Sequence, residues 1–239
     1  LMAKKERVCL VLGGGGARGL SHLGVLQVLE RAEIPVHFIV GTSVGAIVGA
    51  TYALEPDAIG VTRRALAYLK SAAFRNDTFK KVLLKSEGTG TNFFKNLLSG
   101  IRKSYIFSNL LRKPSIFPAE HLEAVISDLV PPKEFADVRI PFAVPALDIR
   151  SGREVLLTKG SLQRAVLASC SLPGFFPPVE IDGMLLADAG VIGPVPVNSA
   201  AYFEPTIIIA VDITSQIDRC PPISRGIDAI LRVEANAGK

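Results

Sequence analysis

Phe38-Ile39-Val40-Gly41-Thr42-Ser43-Val44-Gly45-Ala46-Ile47-Val48-Gly49-Ala50 is the stretch on which the fold turns. Residues 36–40 form a short apolar run of strand type, and residues 46–54 are a small-residue run of helix type. A G-x-S-x-G pentapeptide, 41–45, joins them. Between a strand and a helix such a pentapeptide makes an elbow: the serine backbone is strained, the glycines leave room for the neighbouring chain, and Oγ stands exposed at a helix N-terminus. The segment before it follows the same plan. Residues 7–12 read as a buried strand, Gly13 to Gly16 as a turn, and Leu20, Leu23, Leu26 and Leu29 recur at helical spacing up to Arg31.

Working outward, the sequence predicts helical, basic chain over about 57–130, strands at 141–147 and 154–157, and a short helix at 162–168. Late strands are expected at 184–187 and 206–212. Strands separated by helices, with the motif turns at strand C-terminal ends, predict an α/β sandwich with a mainly parallel sheet. A chain of 239 residues that is 49% hydrophobic and has no linker-like composition break is expected to form one domain over 1–239. This composition excludes intrinsic disorder and a collagen-like chain.

Three widely spaced cysteines, Cys9, Cys170 and Cys220, with no histidine at zinc-like spacing, predict a reducing, cytoplasmic setting and no structural metal. No apolar run reaches the roughly 18 to 20 residues that cross a bilayer, so no membrane span is expected. Nor is export by a signal peptide, for which the N-terminus lacks a hydrophobic region. The start before Met2 and the abrupt end at 234–239 suggest a fragment, with a final helix expected beyond it.

The charge is concentrated. Residues 61–113 hold twelve Lys and Arg side chains against only Asp77 and Glu87, so the whole formal excess of +5 lies there and the remainder is net acidic. An anionic neighbour is implied. Phe and Leu interleave with the cations at helical spacing in 92–98 and 105–113, which suits an anionic membrane surface. An amphipathic subdomain packed on the core is the plainer alternative. Nucleic acid is not expected, because no helix-turn-helix, RNP-type or zinc-finger spacing accompanies the charge; salt-dependent DNA binding would revive it.

Gly14-x-Gly16-x-x-Gly19 formally matches a dinucleotide fingerprint, and it follows the first strand. A dinucleotide site also needs a carboxylate at the tip of the second strand, where Phe38-Ile39-Val40-Gly41 offers none. A P-loop fails too, since no Gly-Lys-Ser/Thr closes the turn. A nucleotide- or phosphate-binding protein stays as the alternative. The remaining use of free backbone N–H groups at a helix N-terminus is to hold an oxyanion, with Arg18 adding positive charge.

Ser43 needs a proton acceptor, because a serine hydroxyl is a poor nucleophile by itself. An α/β-hydrolase triad runs Ser, acid, His, yet the only histidines are His22, His37 and His121, and none follows at a terminal position. His22 is expected to pack within the first helix. A carboxylate could act directly on Oγ, and Asp188, in the turn Ala187-Asp188-Ala189-Gly190 after a strand, has the best context among Asp148, Asp182 and Asp212. Such a base, with an ordinary pKa of about 3.9, is expected to keep working in mild acid where a histidine of about 6.5 fades.

Gly13-Gly14-Gly15-Gly16-Ala17-Arg18-Gly19, Gly41-Thr42-Ser43-Val44-Gly45 and Asp188-Ala189-Gly190, in this order, resemble the three signatures of patatin-like phospholipases, particularly the small bacterial members. Residues 165–178, Ala165 to Pro178, resemble the family's segment before the aspartate. The match covers about 7–55 and 140–212; the basic stretch within about 57–135 is where members vary and would form a lid. The resemblance implies a three-layer α/β/α fold and a Ser-Asp dyad that hydrolyses phospholipid or lysophospholipid esters without metal or other cofactor. It makes Ser43 the nucleophile and Asp188 the base. The backbone of Gly14, Gly15 and Gly16 becomes the oxyanion hole, with Arg18 beside it. Ala189 stands in the middle position of the aspartate motif, which the family admits alongside Gly. The expected location is cytoplasmic, peripheral on the inner face of the cell membrane.

Overall fold

The computed structural model describes residues 6–76, 115–214 and 229–232. The predicted strands, and the predicted helices that fall among the described residues, form with small shifts at their ends, and two further short strands, Val179–Ile181 and Ala229–Arg232, join them. β1 (Val8–Leu12) leads through the glycine turn into α1 (Leu20–Arg31), β2 (Phe38–Gly41) and α2 (Val44–Leu54). Next come α3 (Ala58–Lys70), α4 (Ala72–Asn76) and, after an interval outside the described residues, α5 (Ala119–Leu129). The rest is β3 (Phe142–Asp148), β4 (Arg153–Leu157), α6 (Leu162–Cys170), β5 (Val179–Ile181), β6 (Met184–Asp188), β7 (Ile207–Asp212) and β8 (Ala229–Arg232).

These strands make one eight-stranded sheet in the order β5-β6-β3-β2-β1-β7-β8, with β4 paired to β3 off this path. The run from β3 through β2, β1 and β7 to β8 is parallel, whereas β4 and β6 pair antiparallel with β3, and β5 with β6. The chain steps from β1 to β2 and β3 on one side and returns with β7 on the other. β1 therefore stands at a topological switch point, where α/β sheets place their ligands at the strand C-terminal ends.

Every residue of β1 is buried, as expected of a central parallel strand. Val8, Leu10 and Leu12 face a large core shared with Leu26, Ile39, Ile126, Leu162 and Leu186, from the helices and neighbouring strands. Burial of each such side chain contributes roughly 1.5–3 kcal/mol. Cys9 and Val11 face the other way, onto Val40, Ala143, Ile208 and Ala210, covered by Val197 and Ala200 from the turn region that includes the 3-10 segment Asn198–Phe203. Helices thus blanket one face, and among the described residues a short 3-10 turn covers the centre of the other.

Most of the basic stretch 61–113, and with it the expected lid, lies outside the described residues; so do Cys220 and the final residues. Among the described residues no helix is long and apolar enough to cross a membrane. The same residues contain no cluster suited to a metal ion.

Candidate active site

The register of the sheet brings distant residues to one height. β2 runs parallel to β3, with Ile39 beside Phe142 and Val40 beside Ala143, so the elbow that follows Gly41 emerges alongside the later half of β3. Ala146 is the antiparallel partner of Asp188. The elbow after β2 and the last residue of β6 therefore meet across β3.

Ser43 has φ 55° and ψ −123°, a region that non-glycine residues seldom occupy and that costs on the order of 1–3 kcal/mol. Close packing enforces it. A Cβ on Gly45 would lie 2.2 Å from the Leu12 carbonyl oxygen, and one on Gly41 2.4 Å from the Gly45 carbonyl oxygen, so only hydrogen fits at both. The turn is also bonded: the Thr42 amide donates to Leu12 O at 3.1 Å and the Gly45 amide to Thr42 O at 2.8 Å. Although Ser43 occupies the cap position of α2, its side chain makes no capping bond, which leaves the hydroxyl for the site.

Asp188 is buried. Its Oδ1 accepts the Gly190 amide at 2.7 Å, and its own amide donates to the Ser171 carbonyl at 2.9 Å. Burial pushes the carboxyl up to about 6, partly opposed by the Gly190 amide and the Ser43 hydroxyl, both of which bond to the charged form. The Ser43 hydroxyl thus neighbours this carboxyl. Burial, aided by the Asp188 charge and partly opposed by the Ser43 hydroxyl, raises the Cys170 thiol well above the usual thiol range.

The other candidate aspartates are occupied in local turns. Asp148 accepts the Ser151 hydroxyl at 2.6 Å and the amides of Arg150 and Ser151, which hold it below the usual carboxylate range. Asp212 accepts the Thr214 amide at 2.8 Å. Asp182 sits at positive φ between β5 and β6. No histidine bonds to Ser43. His22 is fully buried in α1, and its Nε2 donates to the Gly13 carbonyl at 2.8 Å, so it braces the glycine turn. His37 falls just before β2 rather than within a strand, and its Nδ1 accepts the Val8 amide at 3.0 Å. His121 lies in α5.

Within the glycine turn the four residues differ. The Gly13 amide donates to Val211 O at 3.1 Å and the Gly14 amide to Pro194 O at 2.7 Å. Gly14 is therefore not a free donor, contrary to the expectation for the oxyanion hole, because the loop is tied to the chain around Pro194. Its role is proximity: a Cβ there would come within 3.2 Å of the Ser43 Cβ. The amides of Gly15 and Gly16 have no acceptor among the described residues. Arg18 donates to Ile213 O at 3.3 Å, and the Ile213 side chain packs against Gly15, which keeps the guanidinium beside the loop.

So built, the molecule falls among the α/β proteins that carry a serine elbow next to a row of main-chain donors. The patatin-like phospholipase family model matches residues 10–201, and the chain belongs to that family of lipid ester hydrolases. Patatin-like phospholipase domain-containing protein 6 of Mus musculus is 33% identical over 213 residues, covering 87% of this chain and 14% of its own. A lysophospholipase of Candida albicans is 34% identical over 218 residues, 90% of this chain and 14% of its own. An uncharacterized NTE family protein of Mycobacterium tuberculosis is 31% identical over 211 residues, 88% of this chain and 50% of its own. The chain spans half or less of the length of these relatives.

Sequence reasoning missed one residue of the site. Ser169, fully buried near the end of α6, accepts the Ser43 amide at 3.0 Å. The only signal was its place in the segment 165–178.

Proposed function

We propose that the protein is a serine acyl hydrolase acting on carboxylic esters of phospholipids or lysophospholipids. Ser43 attacks the ester carbonyl while Asp188 takes its proton. The amides of Gly15 and Gly16 receive the oxyanion, with Arg18 adding positive potential. The tetrahedral intermediate expels the alcohol, which takes the proton back from Asp188, and leaves an acyl group on Ser43. Water, deprotonated by Asp188, then releases the fatty acid and restores the serine.

The observation that carries this reading is the strained serine elbow set beside the buried carboxyl of Asp188 and two unspent main-chain donors. A base near 6 is ionised at neutral pH yet close enough to accept a proton efficiently. The printed names of the relatives, a phospholipase domain and a lysophospholipase, support a lipid ester as substrate. Ser43→Ala and Asp188→Asn are each expected to lower turnover of lysophosphatidylcholine by at least about 10³-fold while the protein stays folded. Near wild-type turnover in either purified variant overturns the assignment.

Membrane docking belongs to the same proposal. α3 opens the basic stretch with Arg63, Arg64 and Lys70 exposed, alongside an exposed Leu66. Cationic and apolar groups on one short helix suit anionic lipid at the inner face of a cell membrane. Flotation with vesicles should show binding that needs anionic lipid and weakens as salt rises; equal binding to neutral vesicles contradicts it.

A further inference from the structure

The serine and the aspartate come from β2 and β6, yet both are fastened to the same three residues at the end of α6. The Ser169 hydroxyl accepts the Ser43 amide at 3.0 Å, and the Ser171 carbonyl accepts the Asp188 amide at 2.9 Å. Cys170, the last residue of α6, stands between them in sequence.

Hydrogen-bond polarity fixes the Ser169 hydroxyl in one orientation. The Ser43 N–H can only donate and the Pro145 carbonyl can only accept, so the hydroxyl donates to Pro145 O, at 2.8 Å, and turns a lone pair to Ser43. Pro145 lies in β3, next to the Ala146 that pairs with Asp188. One fully buried hydroxyl thereby links the strained residue of the elbow to the strand that sets the height of the aspartate. The Thr42 and Gly45 amides of the elbow donate to main-chain carbonyls, whereas the Ser43 amide donates to a side chain.

Resting on the dyad reading above, we propose that Ser169 is a positioning residue of the reaction. Its hydroxyl locks the Ser43 amide to β3 and so keeps Oγ aligned on Asp188. It touches neither substrate nor the transferred proton, so its loss should appear in turnover and not in substrate binding. With the hydroxyl gone, the half-buried Ser43 amide loses its acceptor, and the elbow relaxes away from its strained geometry.

The test is Ser169→Ala assayed on p-nitrophenyl butyrate, with functional sites counted by fluorophosphonate labelling. The expected result is a kcat per labelled site about 10- to 100-fold lower, KM within about twofold of wild type, and an acid limb unmoved. Ser161→Ala is the control for mere destabilisation: it removes the cap that accepts the Arg164 amide at the start of the same helix, far from the elbow in sequence. It should lower the melting temperature and leave kcat per labelled site unchanged. If Ser169→Ala does not fold, Ser169→Cys, similar in size but a poor acceptor, is expected to give the same split. A Ser169 variant with wild-type kcat per site, or a Ser161→Ala that loses as much, overturns this inference alone. A wild type without turnover, or Ser43→Ala with turnover, overturns the dyad and this inference with it.

Discussion

The turns that leave β1 and β2 are both rich in glycine, and they use it for opposite ends. In the elbow the glycines let backbones collide: Gly45 lies against Leu12 O, and the amides of Thr42, Ser43 and Gly45 are all engaged. In the loop after β1 the first two glycines anchor the chain, and the next two leave their amides unspent, with open space around Gly16. A nucleophile has to be held still, so its turn is over-determined. A developing negative charge has to be met by donors committed to nothing else, so its turn is tied at one end only.

Breaking the tight turn should have the largest effect. A methyl group at Gly45 meets main chain, not the tip of a flexible side chain, so Gly45→Ala is expected to cost about 3 kcal/mol or more and to abolish turnover. Thermal unfolding with activity measures both; a stable, active variant would show that the elbow yields.

Asp188 sharpens the contrast, because the fold holds a charge opposite the rigid turn at a cost. Its folded pKa of about 6 is above the ordinary value of 3.8, so the native state binds the proton more tightly. The stability tied to that proton is complete below about 3.8 and lost as pH rises through 6. Asp188→Asn, which can still accept the Gly190 amide, should exceed wild type by about 3 kcal/mol at pH 8 and match it near pH 4 in urea unfolding. A constant gap across pH would contradict a buried, ionised carboxylate. On the proposed mechanism the same carboxyl is expected to set the acid limb of turnover near 6, beside the ordinary histidine value, so the pH profile alone does not tell the two bases apart.

In the open turn the effects are smaller. Gly15→Ala brings a methyl to 2.8 Å from the Ile213 side chain, and the loop must shift. The expected outcome is about a 10²-fold loss of kcat with modest destabilisation. Gly16→Ala finds nothing within 4 Å but imposes a side chain on φ +61°, a strain of about 1 kcal/mol that calorimetry should resolve. Equal stability losses at Gly45 and Gly16 would erase the distinction between the turns.

Much of this was legible in the sequence because it is local. A strand followed by G-x-S-x-G and a small-residue helix determines the elbow almost by itself, and the lack of a late histidine singled out a carboxylate. The rest depends on tertiary register. Nothing near Asp188 announces that β6 runs antiparallel to β3, and β5, three residues long, is too short to show a period. Nothing near Gly14 tells that Pro194 will take its amide. Ser169 and Ser43 are 126 residues apart, and a serine near a helix end has an ordinary local explanation. The shift of Asp188 arises from burial, which the linear sequence does not display.

The place of β1 at the centre of the sheet has a consequence for biogenesis. One of its edges is closed by β2 at once, the other only by β7, with the Arg7 amide bonded to Thr206 across 199 positions. A chain emerging from the ribosome therefore keeps that inner edge unpaired until about two hundred further residues have followed β1. Assembly is slow and exposed to mispairing through that interval, and no shorter nascent product carries a finished centre.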